Sequence, residues 1–316
     1  MPRSLSSETV AAYVVERGIF ASAVGLDVQE LSGGISAAVL AVRGEGKRVV
    51  VKQALPRFRV ADEWLVPQER VVTEAQALEL MAELEADSIP ALLQVDPEAF
   101  ALVMEEAPAD WRPWKALLLE GAAFPSVAAR LGELLAVLHS TDADIGSAES
   151  FEAQRVDPYL RTIQRRHPAL AERIGAYIER LLATTSCVVH GDYSPKNVLV
   201  GDDGLWVIDW EVTHRGDPTF DIAFLLNHLL LKTIHRPQAR EGYKACGQAF
   251  LDAYGQEVDM PYALGLVGCL MLARVDGKSP AEYLTEAERE HARAAGIALL
   301  SEPASSLQEA WAGLRP

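Results

Sequence analysis

The first third of the chain alternates short apolar runs with turn residues, a pattern that predicts β-strands. A meander of three strands begins at Val28 and closes with the run Val49–Val51, after a glycine-rich turn and a second turn at 44–47. Two more strands are predicted over Ala91–Val95 and Phe100–Met104. This part of the chain is therefore expected to be rich in β-structure.

Helical spacing of apolar residues marks two segments of this part and most of the chain beyond it. A short helix is predicted over residues 7–18, with Ser7 as its N-cap and Gly18 as its stop, and a long one over 70–85. Beyond Pro113 the pattern becomes mainly helical, and the predicted helices cover 126–139, 168–183 and much of 221–316. Two short strands, 197–200 and 205–208, interrupt them.

These elements predict an α+β fold in two lobes. The chain has 316 residues, a length that suits two domains. The character of the sequence changes near residues 105–110, so we predict a β-rich N-terminal lobe over 1–106 and a mainly helical C-terminal lobe over 107–316.

Composition excludes several classes of partner. The net charge of −16, from 45 acidic and 29 basic residues, argues against a nucleic-acid binder and against docking on an anionic membrane. It is compatible with a cationic substrate, although solubility alone explains it. The three cysteines suggest neither a disulfide framework nor a zinc site. This cysteine usage fits a reducing cytoplasm, so a cytoplasmic protein is expected, and the N-terminus lacks the apolar core of a signal peptide.

The segment 187–224 carries the densest chemistry. It contains His190-Gly191-Asp192, then Asn197 five residues after the aspartate, and a predicted hairpin that ends in Asp209-Trp210-Glu211. This segment resembles the catalytic loop and metal-binding segment of the aminoglycoside phosphotransferase and choline kinase superfamily. The resemblance implies a protein-kinase-like fold and a phosphotransferase that uses ATP and Mg²⁺.

Phosphoryl transfer explains why these residue types occur together. By the resemblance, Asp192 accepts or orients the proton of the substrate hydroxyl, and Asn197 assists it and supplies a neutral oxygen to Mg²⁺. Asp209 supplies a carboxylate that bridges metal and phosphates, and Glu211, two residues on, reaches a second metal. A loop of solvated polar residues is the alternative for any one of them alone.

The N-terminal lobe supplies the expected nucleotide contacts. Lys52 follows the strand 49–51, where a kinase-type fold places the lysine that holds the α- and β-phosphates. Glu74, early on the next helix, is positioned to pair with Lys52. The turn formed by Ser32, Gly33, Gly34 and Ser36 could cover phosphates with its backbone N–H groups. A plain hairpin turn is the alternative for this segment.

The superfamily pattern gives three further predictions. The chain at Met104, Glu105 and Ala107 is the expected hinge, whose backbone would bind adenine. Asp221 is interpreted as a helix N-cap and a brace for the catalytic loop. His190 is interpreted as a structural hydrogen-bonding residue.

A narrower, local resemblance to methylthioribose kinases bears on the identity of the phosphate acceptor. It runs from Val51 through Arg59 and Trp64 to Glu74, and it includes the acidic pair at 209 and 211. The chain looks short for that subfamily, and its turn GGIS and its loop HGDYSPKN depart from the subfamily pattern.

Acceptor contacts are expected mainly from the helical lobe. Arg274 and Asp276, which follow an apolar helix, are candidates, and an ordinary helix end is the alternative for both. Trp210, beside the metal residues, is a further candidate, with packing as its alternative.

Three functions are compatible with the sequence. The chain could be a kinase of a sugar-like metabolite, an antibiotic phosphotransferase, or a catalytically inert nucleotide-binding protein. The first two act on a hydroxyl group of a small-molecule acceptor. The sign of the charge beside Asp192 distinguishes them, because a cationic drug binds best in an acidic pocket. The joint presence of Lys52, Asn197 and Asp209 with that aspartate argues against the third. The sequence leaves the oligomeric state open.

Overall fold

The computed structural model describes residues 4–31, 36–57 and 66–314. The chain separates into two compact units. The first comprises Met1–Trp111 with Ile208–Glu211, and the second comprises Arg112–Val207 with Val212–Pro316. The predicted boundary lies after residue 106, whereas the units divide after Trp111, and the four residues that carry Asp209 and Glu211 belong to the first unit.

An antiparallel sheet of five strands forms the body of the first unit, in the order β1-β2-β3-β5-β4. Its strands are β1 Asp27–Glu30, β2 Ala37–Gly44, β3 Lys47–Ala54, β4 Leu92–Asp96 and β5 Ala101–Glu105. Glu45 and Gly46 both have positive φ, 50° and 73°, and form the tight turn between β2 and β3. The sheet places Lys52 on β3, between Val39 of β2 and Leu102 of β5.

Two helices accompany this sheet. Helix α2, Arg70–Glu85, has the bounds that its apolar spacing predicts, and a 3-10 turn over Ala86–Ser88 follows it. Helix α1, Val10–Glu16, is shorter than predicted, and the assignment of Ser7 as its N-cap is wrong. The carbonyl of Ser6 accepts from the N–H groups of residues 9 and 10, so the chain makes a turn before the helix begins.

Ten α-helices build most of the described part of the second unit. They are α3 Trp114–Glu120, α4 Pro125–His139, α5 Ala148–Phe151, α6 Thr162–Arg166, α7 Ala171–Ala183, α8 Thr219–His235, α9 Arg240–Tyr254, α10 Met260–Asp276, α11 Glu286–Ser301 and α12 Leu307–Gly313. Helices α8 and α10 are buried over nearly their whole length and pack against each other, so they form the centre of the unit.

Short irregular helices link these elements. A π-helix over Glu152–Arg161 joins α5 to α6 and contains Pro158. Turns of 3-10 helix occupy Pro168–Leu170, Pro195–Asn197 and Pro237–Ala239. Within the described residues, no helix combines the length and the apolar character needed to cross a membrane.

Two small antiparallel sheets bracket the polar segment of the second unit. Strand β7, Cys187–Val189, pairs with β10, His214–Gly216. Strands β8, Val198–Val200, and β9, Leu205–Val207, form the predicted hairpin, and β6, Arg112–Pro113, adds to its edge. The polar residues 190–197 therefore leave one short strand and enter another, so both ends of this segment are fixed.

Candidate active site

The backbone of the second unit fixes the position of Asp192. Strand β7 ends at Val189, and Gly191 then turns the chain with φ 76°. A Cβ at Gly191 would lie 2.6 Å from the carbonyl oxygen of Val212, so only glycine fits this turn. Asp192 follows directly and its side chain is buried.

Asp221 braces this turn from the first turn of α8. Its carboxylate accepts from the N–H of His190 at 2.7 Å and from the N–H of Gly191 at 2.9 Å, and it lies 3.2 Å from Nε2 of His139. Burial raises the pKa of Asp221, but the hydrogen bond and charge of His139 bring it below its ordinary value. The predicted brace is present in the structure.

The prediction that Asp221 is the helix N-cap is wrong. Helix α8 begins at Thr219, so Asp221 lies inside its first turn. Asp217, two residues before the helix begins, accepts from the N–H of Thr219 at 2.9 Å. The side chain of Asp221 instead accepts hydrogen bonds from the backbone of the catalytic loop, which explains why it is fully buried.

Three side chains hold the carboxylate of Asp192. Arg155 Nη2 lies 2.8 Å and Lys196 Nζ 2.9 Å from its Oδ2, and Nδ2 of Asn197 donates to the same oxygen at 2.9 Å. The N–H of Asp192 donates to Nδ1 of His190 at 3.1 Å, which gives His190 a structural part in the loop. The carboxylate is thus oriented on several sides by charge-assisted hydrogen bonds.

Arg155 is a site residue that the sequence does not reveal. It lies on the π-helix, 36 residues before the loop, and its Nε also donates to the carbonyl of Gly191 at 3.0 Å. No motif surrounds it in the sequence, because its relation to Asp192 is created by the fold. π-helical turns concentrate at functional sites, but this one cannot be recognised from apolar spacing.

A second cluster lies wholly in the first unit. Lys52 Nζ is 2.7 Å from Glu74 Oε2, 2.5 Å from Asp209 Oδ1 and 3.5 Å from Glu211 Oε2. The ion pair with Glu74 that the sequence predicts is therefore present, and two further carboxylates join it. Oxygen atoms of the three carboxylates all lie within 4.8 Å of one another.

Negative charge is in excess in this cluster. Burial lowers the pKa of Lys52, but Asp209, Glu74 and Glu211 together raise it well above its ordinary value. Burial raises the pKa of Glu74 to about 7 against the opposing effect of Lys52, and the other two carboxylates add to the rise. Clustered carboxylate oxygens with surplus negative charge are the donor set that Mg²⁺ prefers, so these residues fit that ion.

The backbone at Asp209 is strained. Its φ is 68°, in the left-handed region that aspartate and asparagine occupy more readily than most residues. Such conformations persist where the surrounding structure fixes them, and they cluster at functional sites. The strain directs the Asp209 carboxylate onto Lys52.

Arg70 is a second site residue that the sequence does not reveal. Its side chain is buried, and Nη2 donates to the carbonyls of Ser36 at 2.5 Å and Leu55 at 2.8 Å. Its Nε lies 3.4 Å from Glu211 Oε2. Arg70 therefore links the end of the predicted phosphate turn to one carboxylate of the cluster.

The predicted nucleotide contacts are distributed unevenly over the described residues. Ser32, Gly33 and Gly34 lie outside them, as do Arg59 and Trp64 of the local resemblance. Met104 and Glu105 end β5, and the N–H of Glu105 is taken by the carbonyl of Ala91. Within the described part of the chain, the N–H of Ala107 has no hydrogen-bond partner.

The three predicted acceptor residues have different surroundings in the structure. Asp276 is paired with Arg293, at 2.8 Å, and with His167, at 2.9 Å, and these partners lower its pKa against the effect of burial. Arg274 donates to Ser279 Oγ at 2.7 Å. The side chain of Trp210 is only 2% exposed, as expected for packing.

Known phosphotransferases are similar to this chain in sequence. The model of the phosphotransferase enzyme family matches residues 27–261, well over half of the chain. The methylthioribose kinase of Pectobacterium atrosepticum is 29% identical over 239 residues, which are 64% of this chain and 59% of that protein. The methylthioribose kinase of Bacillus cereus is 24% identical over 272 residues, 76% of this chain and 69% of that protein. The chain thus spans about three fifths of the first of these relatives.

Solved structures share the fold. A choline/ethanolamine kinase family protein from Mesorhizobium loti superimposes with a TM-score of 0.59 at 17% identity, over 98% of each chain. An aminoglycoside-3'-phosphotransferase of type VIII does so with a TM-score of 0.54 at 22% identity, over 82% of this chain and 98% of that one. These likenesses confirm the predicted kinase-like α+β fold.

Proposed function

Because the chain belongs to the phosphotransferase enzyme family, we propose that it is a kinase that uses ATP and Mg²⁺. Its reaction would transfer the γ-phosphate to a hydroxyl of a small, sugar-like molecule. The observation that carries this proposal is the buried cluster in which Lys52 meets Glu74, Asp209 and Glu211. Packing alone does not explain such a cluster, since grouping two buried carboxylates and one partly exposed carboxylate around Lys52 and Arg70 is costly.

Residues of the first unit would bind the nucleotide. Lys52, held by Glu74, would contact the α- and β-phosphates, and Asp209 with Glu211 would hold Mg²⁺. The ion supplies charge neutralisation on the phosphates when it is bound. The N–H of Ala107, which has no partner among the described residues, suits the adenine edge, and Met104 and Glu105 would line the same hinge.

Residues of the second unit would act on the acceptor. Asp192 would accept the proton of the attacking hydroxyl, and Arg155 and Lys196 fix its carboxylate for that task. The amide nitrogen of Asn197 donates to Asp192, so the amide oxygen of Asn197 is the atom that would ligate the metal. The residue Gly191 and the brace Asp221 keep this loop in place.

The best candidate acceptor is a sugar of the methylthioribose type. The local resemblance between Val51 and Glu74 and the curated relatives both favour it. The antibiotic alternative is disfavoured by the charge near Asp192. Arg155 and Lys196 contact that aspartate directly, and a cationic drug would be repelled by both.

The first test is ADP release with Mg·ATP across methylthioribose, ribose, choline and an aminoglycoside. Turnover with a sugar is expected, and Asp192→Asn should lower kcat by about 10²–10⁴-fold, because a positioned base contributes that much. Mg·ATP affinity of this variant, measured by calorimetry, should stay unchanged. Asp202→Asn, in the exposed turn between β8 and β9, is the matched control.

The other outcomes are informative. Turnover with the aminoglycoside alone would establish the antibiotic function. Full activity of Asp192→Asn would remove that residue from catalysis. A protein that binds no Mg·ATP and phosphorylates nothing would be the inert member of the family, and the proposal would be wrong.

A further inference from the structure

We propose that the acceptor carries an anionic group, a carboxylate or a phosphate, which is held by Lys232, Arg274 and Lys115. All three side chains lie in the second unit, on α8, α10 and α3. This inference rests on the proposed kinase function and replaces its methylthioribose-type acceptor, which is uncharged, with an anionic one. The reason is a group of buried and half-buried cations that no carboxylate of the described residues pairs with.

Lys232 is the centre of this group. Its side chain is 0% exposed, although lysine is almost never fully buried without a partner. Its Nζ lies 3.5 Å from the carbonyl of His228 and 5.6 Å from the centre of the Tyr283 ring. Among the described residues, no carboxylate lies within ion-pair distance of it. A buried ammonium group without a counter-charge is costly, so a counter-charge from a ligand is expected.

Two neighbouring groups have unused hydrogen-bond capacity. Within the described chain, Nε of Arg274 and the hydroxyl of Tyr283 are buried and have no hydrogen-bond partner. The Tyr283 ring is the one beneath Lys232 Nζ. Buried polar atoms normally have a partner, so a ligand with acceptor oxygens would satisfy a guanidinium, an ammonium and a phenol together.

The electrostatic effects of these charges on one another agree with this grouping. Burial, then Lys115 and Arg274, lowers the pKa of Lys232 to about 7. Burial lowers the pKa of His228 well below its ordinary value, and the charges of Lys232, Arg274, Lys196 and Lys115 lower it further. His228 is therefore neutral and does not offset the positive charges. An anion at this point would offset all of these repulsions at once.

The same field extends to Asp192. Burial raises the pKa of Tyr159, but Arg274 and Arg155 reverse the effect and the pKa is lowered. Asp192 and Lys196 also act on Tyr159. The charges of the proposed base and of Arg274 thus act on the same phenol, which supports assigning the cationic group to the acceptor.

The nearby carboxylates are already engaged. Asp276 on α10 is paired with Arg293 and His167. Glu288 on α11 is paired with His235. Glu282 acts on Lys115 but is not enough to restore its pKa, which burial and Arg274 keep low. The described residues thus leave a net positive region in a chain whose total charge is −16.

The test compares three sugars with one carbon skeleton: ribose, ribose 5-phosphate and riburonate. Their affinities are measured by calorimetry at pH 7 with the full chain and Mg·ATP analogue present. We expect at least one anionic sugar to bind about tenfold or more tightly than ribose, since a hydrogen bond to a charged group is strong. Preference for the phosphate or for the carboxylate identifies which anion the site takes.

Lys232→Met and Arg274→Gln should each abolish this preference. Methionine fills a similar volume, so Lys232→Met should fold and should melt at a higher temperature than the wild type. Lys244→Met, at a half-buried position of α9 where the lysine pairs with Glu241, is the matched control and should keep the preference. Inorganic phosphate should compete with the anionic sugar in the wild type only.

The result that overturns the inference is an anionic sugar that binds no better than ribose, or a preference that survives both substitutions. If methylthioribose is turned over while the anionic sugars are not bound, the kinase proposal stands and this inference fails. If anionic sugars bind but nothing is phosphorylated and Mg·ATP does not bind, the kinase proposal fails and the anion site stands.

Discussion

Single residues in this protein are held in costly states. Asp209 adopts a positive φ, Lys52 is buried among three carboxylates, and Lys232 is buried with none of the described carboxylates beside it. Each of these states lowers the stability of the fold, whereas a well-packed apolar residue at the same position would not. Such costs are expected where a ligand supplies the missing charge, so these positions connect local strain with binding.

Asp209 gives the first prediction at this scale. Asparagine tolerates the same left-handed backbone, so Asp209→Asn removes the charge and keeps the conformation. We expect kcat/KM to fall by roughly 10²-fold, as when one electrostatic contact to a transition state is lost. The Mg²⁺ concentration for half-maximal rate should rise, as measured by titration of the ion at fixed ATP.

The control for this change is Asp202→Asn, which also neutralises an aspartate near the hairpin but in an exposed turn. It should behave as the wild type does. Unchanged Mg·ATP affinity in Asp209→Asn would exclude Asp209 from the metal site.

At the scale of elements, the irregular π-helix is the most informative piece. It delivers Arg155 to the carboxylate of Asp192 and to the carbonyl of Gly191. A regular α-helix through Glu152–Arg161 would change the direction of each side chain after the point of irregularity. The element therefore acts by positioning one side chain against a loop that is distant in sequence.

Arg155→Met tests this positioning role. We expect kcat to fall by roughly tenfold or more while KM for Mg·ATP is unchanged, because a misplaced base slows chemistry and leaves nucleotide binding alone. Arg155→Lys should recover part of kcat, since it keeps the charge and loses the two-sided contact. Steady-state kinetics separates the two constants.

A merely structural role for Arg155 would lower the melting temperature and leave kcat per folded molecule as it is. Arg165→Met removes a largely exposed arginine of the neighbouring helix α6 and serves as the control.

Regular elements can be predicted from the sequence, and their long-range contacts cannot. Helix α2 and the β8–β9 hairpin follow from periodicity and turn residues, which are local properties. The motif residues around Asp192 are likewise visible in the sequence. Arg155, Arg70 and Lys232 are not, because their roles depend on partners brought together by the fold.

Local pattern also misleads in two places. The Ser7 cap is wrong because a turn precedes α1, and the Asp221 cap is wrong because α8 already begins at Thr219. In both cases, a polar residue near the start of a helix is predicted to cap that helix, although the helix begins at a different residue. Helix boundaries shift by one or two residues with small changes in the preceding turn, so this error is typical.

At the scale of the whole molecule, the chain is strongly acidic but contains a buried cationic region. Lys232 binds its proton with a pKa of about 7 in the folded state, against about 10.4 in the unfolded chain. Between these two values the unfolded state binds more protons, so the free energy of unfolding rises with pH. The charges of Lys115 and Arg274 contribute to this low pKa, and the His228 carbonyl and the Tyr283 ring lie beside Lys232 Nζ.

Lys232→Met should therefore be more stable than the wild type at pH 6–7, by about 1–3 kcal/mol, the cost of an unpaired buried polar group. The difference should shrink as the pH is raised to 9, where the wild-type lysine is neutral in the folded state. Urea unfolding at several pH values measures both free energies. A gap that is constant with pH would show that Lys232 does not titrate in this range, and Lys244→Met provides the flat reference.

The assignment of Ile208–Glu211 to the first unit has a consequence for biosynthesis. Lys52 and Asp209 are 157 positions apart in the chain, and the segment Arg112–Val207 of the second unit is translated between them. On the ribosome, the sheet of the first unit emerges long before two of the carboxylates that surround its lysine. Until residue 211 leaves the exit tunnel, Glu74 alone balances Lys52. A gene fragment ending at Trp111 would therefore encode a sheet whose ion cluster is incomplete.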